Sequence, residues 1–257
     1  FKTMNDTEKL INLLKLGLDD GFKRLKTPRS IPVVGPINYE NAMDMLKKFA
    51  SEKFDDGSLI SNSYMMKEEV QEELVKSLSI PKINTLTLHL IIVSKDFHQD
   101  LNRKDVHLQF AFEVNNKKEY YIGLNTDKLI KLSGDKFQEF QDKFEISNLS
   151  KSLDKYIFNN TKGIHSKNTR KIIIDDIESG KNIVLGKLGK ENSKAIFMHP
   201  AIQTLALNKL EDLDEKNILQ LFSFGLISSL IELKNEETAI TFGPPVDDKY
   251  RNCPPLC

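Results

Sequence analysis

Thr85-Leu86-Thr87-Leu88-His89-Leu90 alternates with a period of two and runs on into Ile91-Ile92-Val93. Val106-His107-Leu108-Gln109-Phe110-Ala111-Phe112-Glu113-Val114 alternates again. Successive side chains of a strand point to opposite faces, so Val106, Leu108, Phe110, Phe112 and Val114 share one face. Asn115-Asn116-Lys117-Lys118 supplies a turn, and Glu119 to Leu124 pairs back as a further strand. The stretch predicts an antiparallel β-meander at the centre of the chain.

Working outward, helices precede it. Leu10, Leu13, Leu14, Leu18, Phe22 and Leu25 recur at helical steps, with Asn5, Asp6 and Thr7 as caps. Pro28 and the run Ile31 to Pro36 end that helix. Further helices are expected over Tyr39 to Phe49 and Lys67 to Leu78, with a turn at Asp55-Asp56-Gly57 between them. After the meander, helices are expected over Asp135 to Phe144 and Leu149 to Phe158. Lys171 to Ile177 and Asn182 to Leu188 read as a hairpin around Glu178-Ser179-Gly180-Lys181. Ser193 to Leu210 and Ile218 to Leu233 read as helices, the first kinked at Pro200, and Thr238 to Phe242 as a last strand. The class is α+β: N-terminal helices, a central antiparallel β-meander and C-terminal helices. Residues 1–246 are expected as one domain, with a sub-boundary near 160–170, and 247–257 as an extended Cys-Pro-Pro tail.

Composition excludes some functions. Lys plus Arg and Asp plus Glu number 37 each, so no global field draws the chain to nucleic acid or to a membrane surface. An RNA binder of this kind needs a local basic patch. No apolar run reaches the length of a membrane span. The two cysteines, Cys253 and Cys257, flank Pro254-Pro255-Leu256. A Pro-Pro spacer is stiff and extended, so this reads as a tether, a disulfide to a second chain. A loop closed between the two, or a pair of free thiols, is the alternative. Asn5, Asn148 and Asn159 each begin an N-glycosylation sequon. With the cysteines they point to a secreted glycoprotein in an oxidising compartment, and Phe1 reads as a processed start or a boundary.

Motifs of catalysis are sparse. The histidines, at 89, 98, 107, 165 and 199, lack metal-ligand spacing, so no metal is expected, and no nucleotide or cofactor loop occurs. His89 and His107 lie in strands, where solvent-facing positions are expected. Asp175-Asp176-Ile177-Glu178 gathers carboxylates that can do acid–base work or simply be solvated. Tyr120 and Tyr121 are adjacent on a strand, so one ring faces the core and the other does not. An exposed aromatic at such a position can stack on a base.

The segment Leu108 to Asn116 followed by Tyr120-Tyr121-Ile122-Gly123-Leu124 resembles the central strands of ribosome-inactivating proteins, the family of the ricin and Shiga toxin A chains. Ile31-Pro32-Val33 after the first helix, Asp127 to Gly134, and the Cys-Pro-Pro end are similar to other parts of that family. The resemblance implies an rRNA adenine N-glycosidase with Tyr120 or Tyr121 stacked on the adenine. Glu178 and Lys181 then stand where the family has its catalytic Glu-x-x-Arg, and a cysteine joins a binding chain. The chain departs from the family in having no Glu-x-x-Arg and no Trp. The expectation is therefore an exported, toxin-like subunit acting on ribosomal or other RNA without a cofactor. An RNA-cleaving killer-toxin subunit using Glu and His is a second reading. A non-enzymatic secreted or surface interaction protein of a parasite or virus is a third.

Overall fold

The computed structural model describes residues 36–37, 39–78, 85–94, 97, 106–163, 165–175, 193–203, 222–234, 237–241, 246–247 and 250–253. The expected first helix, Asn5 and the second arm of the expected hairpin lie outside them. The described elements are β1 Pro36–Ile37, α1 Tyr39–Ser51, β2 Tyr64–Lys67, α2 Glu68–Leu78, β3 Thr85–Val93 and β4 His107–Val114. There follow β5 Tyr120–Ile122, β6 Ile130–Leu132, α3 Gly134–Ile146, α4 Asn148–Asn160, β7 Lys171–Asp175 and β8 Ser193–Ile202. The last are β9 Phe224–Lys234, β10 Glu237–Thr241, β11 Val246–Asp247 and β12 Tyr250–Cys253. The chain is α+β, with antiparallel pairing throughout.

The meander forms as the alternation requires. β3 and β4 pair from Leu86↔Val114 to Val93↔His107, and β5 and β6 extend the sheet. Asn115 and Asn116 turn the chain with φ of 48° and 56°, the left-handed pair a tight hairpin turn needs. With β7 and β12 on the far side of β3, the order is β12-β7-β3-β4-β5-β6. A first sheet, β1-β11-β9-β8-β2 with β10 beside β9, faces it. Leu86, Leu88, Leu90, Leu108, Phe110 and Phe112 point inward and meet Tyr64, Met66, Ile196, Met198 and Phe224 of the first sheet in one cluster. Burying a side chain of this size stabilises the fold by roughly 1.5–3 kcal/mol. Gly123 admits close approach here: a Cβ on it would lie 2.8 Å from Val70 and 2.9 Å from Phe112.

Helices close both outer faces. Met45 of α1 packs on Ala201 and Ile227 of the first sheet. Phe137 and Phe140 of α3 pack on Ile91, Val93, Ala111 and Ile122 of the second. Ser133 caps α3 by accepting from the Lys136 N–H at 3.2 Å, and Ser147 caps α4 by accepting from Ser150 at 3.0 Å. The open edge of β2 is tied to the β5–β6 loop. Asn125 accepts the Met65 N–H on Oδ1 at 2.9 Å and donates its own N–H to the Met65 carbonyl at 2.7 Å.

Some expectations need correction. The Ser193 to Leu210 and Ile218 to Leu233 helices are, over their described residues, the strands β8 and β9. Both carry apolar residues in runs, and such runs lack the period that separates strand from helix. Pro200 lies past the last β2–β8 pair, Tyr64↔Met198, where β8 has one strand neighbour among the described residues. β7 has β3 on one side and β12 on the other, so residues 171–174 are not the arm of an isolated hairpin. Residues 250–253 of the expected extended tail form the edge strand β12.

Candidate functional site

The meander's alternation divides the two tyrosines. Tyr121 is 3% exposed and joins the core between the sheets, its hydroxyl donating to Glu119 Oε2 at 3.0 Å. Tyr120 stands on the opposite, outer face, half-buried under α3. There its ring lies flat on Phe137, centroids 3.6 Å apart. The two expected stacking residues therefore do not share a cleft. Glu178 and Lys181 lie outside the described residues, as does Cys257. Cys253 ends β12 at the register position opposite Lys171. Asn148, the first residue of α4, and Asn159, near its end, are both exposed. Among the described residues no group of His, Cys, Asp and Glu is arranged to hold a metal.

What Tyr120 does adjoin is a polar group absent from the expected site. His89 and Glu113 lie one strand apart on the same outer face, with Nε2 and Oε2 2.9 Å apart. Both are 9% exposed, not solvated as expected of His89, and His107 at 1% is buried too. The cause is α3, which covers a face that the strand pattern alone leaves to water. A carboxylate only accepts, so the His89 Nε2–H donates and Nδ1 is left as the accepting nitrogen. The second carboxylate oxygen, Oε1, accepts the Lys118 backbone N–H at 3.1 Å. The imidazole stands edge-on to Phe137 at 5.2 Å and to Tyr120 at 5.7 Å.

Electrostatics follow from this placement. Burial pushes the His89 pKa below the usual imidazole value; Glu113 opposes the shift and Lys171, directly across in β7, adds to it. The imidazole is thus neutral near pH 7 and able to accept a proton. Burial first, and then the Glu113 charge, raise the Tyr120 phenol, so it keeps its proton. The exposed Lys117 and Lys118 of the hairpin turn and Lys171 across the sheet put cations on either side of the pair. An oriented imidazole, a protonated phenol and flanking ammoniums can carry acid–base chemistry on an anionic ester.

The sequence reading placed His89 at a solvent-facing strand position and gave Glu113 no role of its own. The signal was that both lie on central strands and, by alternation, on the same face. Arg170 was passed over as well. It is 5% exposed, donates from Nε to Glu145 and from Nη2 to Asp154 Oδ2 at 2.8 Å, and lies 5.4 Å from the Phe144 ring centre. It ties α3 and α4 to the start of β7, a structural cross-link with no open side.

The chain matches no family model, no curated protein and no solved structure.

Proposed function

We propose that the outer face of the meander is an acid–base site for cleaving an RNA phosphodiester. The 2.9 Å contact between His89 and Glu113 carries the reading, because it fixes the imidazole with Nδ1 as its base. In this reaction Nδ1 takes the proton of a ribose 2′-hydroxyl, the 2′ oxygen bonds to phosphorus, and the bond to the 5′ oxygen breaks. The Tyr120 hydroxyl supplies the leaving oxygen's proton, and the lysines offset the charge on phosphorus. The products are a 2′,3′-cyclic phosphate and a free 5′-hydroxyl. Phosphodiester cleavage suits the geometry better than adenine excision, since Tyr121 sits in the core and Phe137 covers one face of Tyr120.

The wider reading is an exported, toxin-like subunit joined through Cys253 and Cys257 to a second chain. Its support is the placement of Cys253 on an edge strand next to the final residues.

The experiment incubates the purified protein with a 5′-labelled single-stranded RNA and identifies the new ends. Cyclic-phosphate ends should form, and Glu113→Gln should slow their appearance by roughly 10²-fold, the low end for loss of acid–base assistance. Release of free adenine from an intact strand would instead support the glycosidase reading. No change in the RNA would leave the interaction-protein reading in place.

A further inference from the structure

We infer that the backbone N–H of Lys118 positions Glu113 for its work on His89, an inference that rests on the acid–base reading above. Three residues of the β4–β5 turn have positive φ: Asn115, Asn116 and Lys118. The first two are what the hairpin turn demands, and asparagine adopts them readily. Lys118, with φ 57°, lies beyond the turn's closing bond from the Lys117 N–H to the Val114 carbonyl. Lysine has a Cβ, which the left-handed region penalises and glycine would not feel. Strain of this kind persists where the surroundings hold it, and it gathers at working sites.

What the residue accomplishes is visible in its hydrogen bond. The Lys118 N–H donates to Glu113 Oε1 at 3.1 Å, and the positive φ that follows returns the chain into β5. The other oxygen then faces His89 at 2.9 Å. Each carboxylate oxygen thus has one donor, from opposite directions. A buried carboxylate needs such donors, and one fixed to the main chain stops the group from rotating away from the imidazole. The side chain of Lys118 is not required for this; its backbone N–H is.

The test replaces the amide at position 118 by an ester, using the α-hydroxy acid, which deletes that one N–H. An ester at 117, which deletes the turn's own bond, is the control, and Lys118→Gly is a second variant that keeps the N–H and relaxes φ. Two quantities are read: hydrogen exchange of the His89 ring Nε2–H by NMR, and single-turnover RNA cleavage. The 118 ester should speed ring-proton exchange and lower kcat, each about tenfold, with KM unchanged, on the scale of one charge-assisted hydrogen bond. The 117 ester and Lys118→Gly should leave ring-proton exchange unchanged. The inference is overturned if the 118 ester leaves exchange unchanged, or if the 117 ester raises it equally. Should none of the proteins cut RNA, the acid–base reading alone falls, because ring-proton exchange still decides the role of Lys118.

Discussion

Tyr120 and Phe137 lie flat against each other, with centroids 3.6 Å apart and ring planes 3° from parallel. The contact joins β5 to α3 and roofs the His89–Glu113 pair. Phe137 is 6% exposed, so Phe137→Ala removes core volume as well as the stack. It should lower the unfolding free energy by about 3–5 kcal/mol in urea titrations. Tyr120→Phe keeps the stack and should stay within about 0.5 kcal/mol of the parent.

Arg170 should matter to stability and not to chemistry. Its guanidinium is 6% exposed at the side chain and bonds both Glu145 and Asp154. Removing the guanidinium costs its own buried packing and takes a partner from Asp154, 13% exposed at its side chain, while Glu145 at 39% stays solvated. Arg170→Met should therefore destabilise by about 1.5–3 kcal/mol by chemical denaturation, the scale of a lost charged hydrogen bond. Arg170→Lys should recover only part of that, since an ammonium cannot reproduce the two-armed contact.

The meander was legible in the sequence because it is local. Leu108, Phe110, Phe112 and Val114 alternate within one strand, and Asn115-Asn116 is turn chemistry that needs no distant partner. α3 and α4 were legible for a similar reason. β8 and β9 were not, since what makes Phe224 to Ile227 a strand is the pairing with β8, not a period in the run itself. Tyr120 and Tyr121 were correctly divided between two faces, but which face remained wet depended on where α3 docks. For the same reason His89 looked like a surface residue, and Glu113 was not connected with it. Their meeting is a register fact between separate strands, and the burial that gives it chemical meaning comes from Phe137, in a different element again.

Acid should weaken the fold. Burial holds His89, His165 and His199 below the usual imidazole pKa, and for His165 burial is the whole cause. The unfolded chain then binds more protons than the folded one at mildly acidic pH. Stability is thus full above the unfolded pKa of about 6.5 and is lost as pH falls through the folded values. The urea midpoint should fall between about pH 7 and pH 5. His165 Nε2 is buried with no hydrogen-bond partner among the described residues, so His165→Gln should flatten part of that decline. A midpoint that rises with acid in this window would contradict the assignment.

The cysteine pair should act outside the core. On non-reducing gels the purified protein should run as a covalent dimer or heterodimer, lost in the double variant Cys253→Ser, Cys257→Ser. That variant should unfold at the same urea concentration as the reduced parent. A monomer whose mass shows an internal Cys253–Cys257 bond would reject the tether.

The most direct test of the central claim is the single-turnover rate of RNA cleavage by the parent protein and by His89→Ala, with and without added imidazole. The parent should cut the strand, and His89→Ala should be slower by roughly 10²–10⁴-fold, the range for a lost general base. Free imidazole should restore part of the rate, because it replaces the missing base at a site still held by Glu113 and Tyr120. Equal rates for parent and variant, or an RNA left whole by both, would contradict the account.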